Sequence, residues 1–103
     1  MPTATAPVPT AYASKYLQQL CKHWQHSLAV DFIPERGTIV FPRDARGADW
    51  PADGKARLSA GDNELTVTVE GSSDDHLEAL KSTVARHLDR FAFREAPLPF
   101  EWQ

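Results

Sequence analysis

Apolar residues recur at intervals of three and four in two stretches of the chain, and between those stretches the interval shortens to two. In the first, Ala13, Leu17, Leu20, Cys21, Trp24 and Leu28 fall on one face of a helical repeat, which predicts an amphipathic helix over residues 12–27. Its opposite face carries Lys15, Gln18, Gln19, Lys22 and His26. In the second, Leu77, Leu80, Val84, Leu88 and Phe91 form the stripe of a helix over residues 74–93. The preceding Ser72 and Ser73, with Asp74 and Asp75, supply capping hydroxyls and early carboxylates that favour a helix N-terminus.

Between the helices, residues 30–33 and 38–41 are short apolar runs joined by Pro34-Glu35-Arg36-Gly37, which predicts a hairpin turning on those four residues. Ala56, Leu58 and Ala60 alternate with polar neighbours over 55–60, as do Leu65, Val67 and Val69 over 64–70, so two half-buried antiparallel strands flank the turn Gly61-Asp62-Asn63. Ahead of the first helix, residues 3–8 suit a strand at a sheet edge, where Pro7 and Pro9 are tolerated. Residues 42–54, rich in Pro, Gly and charge around Trp50, are expected to form a mobile loop. Pro97 and Pro99 stop the second helix and leave residues 96–103 as an extended tail, pinned to the domain by Leu98, Phe100 and Trp102.

An antiparallel sheet with one apolar face needs a covering layer, and two one-sided helices provide it. The predicted fold is therefore α+β, a two-layer sandwich with both helices on one face of the sheet, in the order β-α-β-β-β-β-α. That order is the one found in each half of the TATA-box-binding protein, a similarity of architecture that carries no function with it. The other sheet face is left open, with Ile33 and Val40 on it beside Thr66 and Thr68, and Lys55 and Arg57 placed to meet Glu64 and Glu70. An open face of this kind would suit a homodimer.

A length of 103 residues fits one domain spanning 1–103, and 42% hydrophobic with 24% charged residues is an ordinary globular composition. A net charge of −3 and a pI near 5.7 argue against a nucleic-acid or membrane-surface partner, whose affinity would come from Lys and Arg. No apolar run approaches the roughly 20 residues that span a bilayer, and the N-terminal MPTATAPVPT is not a secretory leader. Cys21 is the single cysteine, which agrees with a reducing, cytoplasmic setting.

With about 100° between successive helix residues, Tyr12, Tyr16 and His23 fall on one flank of the first stripe, and His76, Thr83, His87, Arg90 and Arg94 beside the second. Packed flank to flank, the helices would gather Tyr16, His23, His87 and Arg90 into a candidate site for a small or anionic ligand: a forked cation, imidazoles titrating near neutrality and a phenol donor. The bland alternative is a structural seam in which His87 bonds a backbone carbonyl and Arg90 pairs with Asp89 or Glu95. Two further readings of the same residues are a metal site on His23 and His26, completed by His87 or Glu95, and a small acid/base enzyme. Cys21 belongs to the apolar face and reads as packing. The chain carries no Gly-rich phosphate loop and no GxSxG elbow, and no cofactor is specified.

Two blocks, Lys15-Tyr16-Leu17-Gln18-Gln19-Leu20-Cys21-Lys22-His23-Trp24-Gln25-His26 and His87-Leu88-Asp89-Arg90-Phe91-Ala92-Phe93-Arg94-Glu95, resemble the signature segments of a small bacterial family catalogued as domain of unknown function 2218. The resemblance extends over nearly the whole chain to Trp102. It departs from the family pattern at Lys15, where Arg is usual, and at Ser27-Leu28, where Lys and an aromatic are usual. The loop 42–54 is longer than the family's connection, so Arg43, Arg46 and Trp50 inherit no role. The resemblance implies no catalytic residues. It does imply an association with iron or siderophore metabolism, because similar domains occur fused to flavin-dependent siderophore-interacting reductases, which makes such a reductase the candidate partner.

Overall fold

A computed structural model of the chain describes residues 2–44, 47 and 49–103. Of the loop residues named above, Arg46 lies outside the described residues. Seven elements follow in the expected order: β1 (Thr3–Pro9), α1 (Ala13–Trp24), β2 (Ala29–Ile33), β3 (Arg36–Phe41), β4 (Gly54–Ala60), β5 (Glu64–Glu70) and α2 (Asp74–Phe91). The five strands form one antiparallel sheet in the order β1-β5-β4-β3-β2, with both helices on one face. No helix among the described residues is long and apolar enough to cross a membrane.

Side-chain alternation fixes which sheet face is buried. Ala4, Ala6 and Val8 of β1, Leu65, Val67 and Val69 of β5, Ala56 and Leu58 of β4, and Ile39 and Phe41 of β3 all point into the helix layer. There they meet Leu17, Leu20, Cys21 and Trp24 of α1 and Leu77, Leu80, Val84 and Leu88 of α2. β1 takes an edge position, as its prolines require. Thr5 exchanges both backbone bonds with Gln103 on the outer side, so Pro7 and Pro9, of the same parity, have their nitrogens turned away from β5. The tail thereby shields that edge, with Leu98 buried, its N–H donating to Asp89 Oδ1 at 3.0 Å, and Phe100 stacked on Trp102.

The hairpin between β2 and β3 differs from its sequence reading. Ile33 pairs with Arg36, so the turn is Pro34-Glu35 alone, and Gly37 sits inside β3 opposite Phe32. The reason is close packing: a Cβ on Gly37 would lie 2.7 Å from Cys21 Sγ, so glycine is what lets α1 rest on this strand. Both helices end earlier than the expected spans 12–27 and 74–93. α1 stops at Trp24, whose carbonyl accepts from both Ser27 and Leu28 in a turn leading into β2. α2 stops at Phe91, and the Glu95 N–H closes a separate turn on Ala92. At its start the Ser73 hydroxyl caps α2 by accepting from the His76 N–H at 3.1 Å.

The open face is polar. Thr5 and Thr68 share a hydroxyl bond at 3.2 Å, and Arg57 reaches Glu70 at 3.3 Å, while Lys55 stands opposite Glu70. Glu64 stands opposite Pro9 rather than a cation, a correction to the expected charge pairing, because β4 ends at Ala60 opposite Leu65. Ile33 and Val40 do project to this side, but in different cross-strand rows, Ile33 beside Arg36 and Val40 beside Lys55 and Ala29.

Candidate functional site

The helices meet along one seam. At its open end the Tyr16 hydroxyl donates to Glu95 Oε2, and the Thr10 hydroxyl lies 3.1 Å from each oxygen of the same carboxylate. Burial of Tyr16, with Glu95 beside it, pushes the phenol pKa up to about 12, so it stays a protonated donor. Two turns along α1, the His23 ring stands 5.2 Å from the His87 ring and 5.8 Å from that of Phe91. His87 is buried, and its Nδ1 lies 2.7 Å from the Thr83 carbonyl; a carbonyl only accepts, so that nitrogen carries the proton. The His87 ring also packs at 4.7 Å against Trp24, which meets Phe41 edge-on at 5.0 Å.

Beyond Trp24 the seam opens into a cleft of ≈ 390 Å³. Its apolar walls are Trp24 and Leu28 at the end of α1 and the start of β2, Phe41 and Pro42 at the end of β3, and Ala79 and Leu80 on α2. Three polar side chains, Ser27, Asp44 and Thr83, complete it. The cleft exists because α1 stops at Trp24 while α2 continues past it, leaving the ends of β2 and β3 uncovered.

On the α2 side lies a second imidazole, which the periodicity placed beside the apolar stripe but outside the four-residue candidate site. His76 is 1% exposed and accepts the Ser72 N–H at Nδ1 (2.9 Å), so its proton is on Nε2. Burial lowers its pKa below 6.5, with Asp53 pulling the other way. Trp50 stacks on it at 4.5 Å and 5°, and the Trp50 N–H donates to the Arg43 carbonyl. Gly54 permits this arrangement, since a Cβ there would lie 2.5 Å from Leu80 Cδ1 and 3.0 Å from His76 Nε2. The loop therefore contributes a packed aromatic, a role the sequence did not assign to Trp50. His76 was readable in principle, because it stands four residues before Leu80 on the inward side of α2. Thr10 gave no signal, and Glu95, expected to meet Arg90 or a metal, is brought instead to Tyr16 and Thr10 by the chain's return after α2.

The four expected residues divide. His23 and His87 meet, Tyr16 lies on the same seam but spends its hydroxyl on Glu95, and Arg90 is exposed at the C-terminal turn of α2. Arg90 does not pair with Asp89 or Glu95, because Asp89 takes the Leu98 N–H and Glu95 takes Tyr16 and Thr10. His26 is exposed, and among the described residues no three His, Cys, Asp or Glu side chains converge at metal-ligating range. Gln19, read as a solvated position, has its Oε1 buried without a hydrogen-bond partner among the described residues. Helical spacing puts Gln19 between Tyr16 and His23, on the seam itself.

A family described as an uncharacterized protein conserved in bacteria, DUF2218, matches residues 5–103. The chain belongs to this family. The match takes in both helices, the seam, the cleft and the tail, so the DUF2218 domain is the whole described unit from β1 onward. The NMR structure of PA4090 from Pseudomonas aeruginosa is similar to this DUF2218 domain at 31% identity and a TM-score of 0.76, covering 100% of this chain and 96% of that one. No match is found among curated proteins.

Proposed function

We infer that this DUF2218 domain is a binding module that takes a small, largely apolar molecule in the cleft beside Trp24. The observation that carries the reading is the cleft itself: ≈ 390 Å³, apolar in its walls and furnished with a few polar groups, within the roughly 300–1,000 Å³ usual for small-molecule sites. Trp24 is held from behind by His87 and from the side by Phe41, so the wall is formed before any ligand arrives. The two imidazoles act in this reading as support for Trp24 rather than as acid and base. Service to iron or siderophore metabolism beside a flavin-dependent reductase belongs to the reading through the family resemblance alone, and an intracellular setting through the single cysteine.

The test is an amide NMR titration of the labelled protein with small aromatic compounds, a catechol-bearing iron chelate included. Saturable shifts at Ser27, Leu28 and Thr83 are expected, and Ala79→Phe, which plugs the cleft from an exposed helix position, should abolish them. Shifts centred elsewhere, or unaffected by Ala79→Phe, would overturn the reading.

A further inference from the structure

We propose that the ligand of this cleft carries a cationic amine on its apolar body. The proposal rests on the cleft reading above and follows from which hydrogen-bonding roles its polar groups have left. The Thr83 hydroxyl donates its proton to the Ala79 carbonyl at 2.9 Å, and a carbonyl can only accept, so Thr83 offers the cleft lone pairs. Asp44 offers a carboxylate, an acceptor of the same kind with a full negative charge. Ser27 can take either role. No described Lys, Arg or His lines the space.

Arg43 faces Asp49 at 3.9 Å, His87 spends its Nδ1 proton on the Thr83 carbonyl from behind the Trp24 wall, and Arg90 is out on the last turn of α2. An anionic head group would therefore meet a carboxylate and a spent hydroxyl, with no counter-charge lining the cleft among the described residues. An ammonium would meet two acceptors and the rings of Trp24 and Phe41, residue types whose π-systems attract cations. The chain's net charge of −3 favours the same sign at long range.

Three probes of one shape and different charge decide the matter: 2-phenylethylamine, 2-phenylethanol and 3-phenylpropionate, titrated at pH 7 into the labelled protein and followed at the amides of Ser27, Leu28 and Thr83. The amine is expected to bind about threefold to tenfold tighter than the alcohol, the worth of one net hydrogen bond of about 0.5–1.5 kcal/mol. The carboxylate should bind weakest. Asp44→Asn should bring the amine down towards the alcohol, and added salt should do the same in the wild type. An alcohol or carboxylate that binds at these amides as tightly as the amine overturns the charge assignment while leaving the cleft reading standing. If none of the three moves these amides, the cleft reading itself falls.

Discussion

Gly37→Ala tests whether the close approach of α1 to β3 is what this glycine serves. Gly37 has no positive φ, so its backbone is one that alanine adopts freely, and the only cost of the substitution is steric. The added Cβ would lie 2.7 Å from Cys21 Sγ, 3.2 Å from Phe32 Cβ and 3.5 Å from Leu17 Cδ2, so the sulfur must move and Phe32 must give by a smaller amount. Cys21 is fully buried. Overpacking of this kind costs about 1–3 kcal/mol, against a gain of about 0.4–1 kcal/mol from restricting the unfolded chain, which leaves a net loss of about 1–2 kcal/mol. Cys21→Ala alone should cost about 1 kcal/mol, as a typical small change in a core. In the double variant the clash with the sulfur is gone, the smaller one with Phe32 Cβ remains, and the methyl partly fills the space left by the sulfur. Its loss should fall short of the sum by about 1–2 kcal/mol, within the range measured for residues in contact. Urea unfolding followed by circular dichroism, with an unchanged slope across the four proteins, gives the required free energies. Additivity within about 0.5 kcal/mol would refute the packing account and return Gly37 to an ordinary turn role.

Tyr16→Phe should cost about 1–2 kcal/mol in the same assay, below the full worth of a hydrogen bond to a charged group because Glu95 itself is exposed; no loss would make that bond incidental. The Tyr16 phenol is raised from 10.0 to about 12 in the folded state, so its contribution is whole below pH 10.0 and is lost as pH rises towards 12; absorbance at 295 nm should show a late tyrosine titration. For His76 the folded pKa lies below 6.5, so the native state holds fewer protons than the unfolded one, and stability present above pH 6.5 declines as the medium is acidified through and below that value. The fall in urea midpoint between pH 7.5 and pH 5 should be larger for the wild type than for His76→Gln, and parallel profiles would refute the assignment. The Cys21 thiol, raised by burial from 9.0 to about 11, should react with a disulfide reagent at pH 8 only as fast as the protein opens; immediate reaction in the native state would contradict its burial.

Apolar spacing, together with turn residues and prolines, was enough to determine seven elements, their order, the buried stripe of each helix and the inward residues of β4 and β5. Those features follow from local periodicity, since a residue's face is fixed by its position along a helix or strand. The sequence also contained the family, through two contiguous blocks within α1 and from α2 into the tail. What lay beyond it were contacts between residues distant in sequence. Gly37 resembles a turn glycine until Cys21 is seen above it, and Glu95 resembles a solvated carboxylate until the return of the chain sets it against Tyr16 and Thr10. Trp50 resembles an exposed loop residue until it stacks on His76. The cleft is likewise invisible in any one segment, because it is the gap left where α1 stops short over strand ends that other parts of the chain supply. Periodicity tells which side of each element turns inward. Only the packing of those elements on one another decides what each side meets and where it meets nothing.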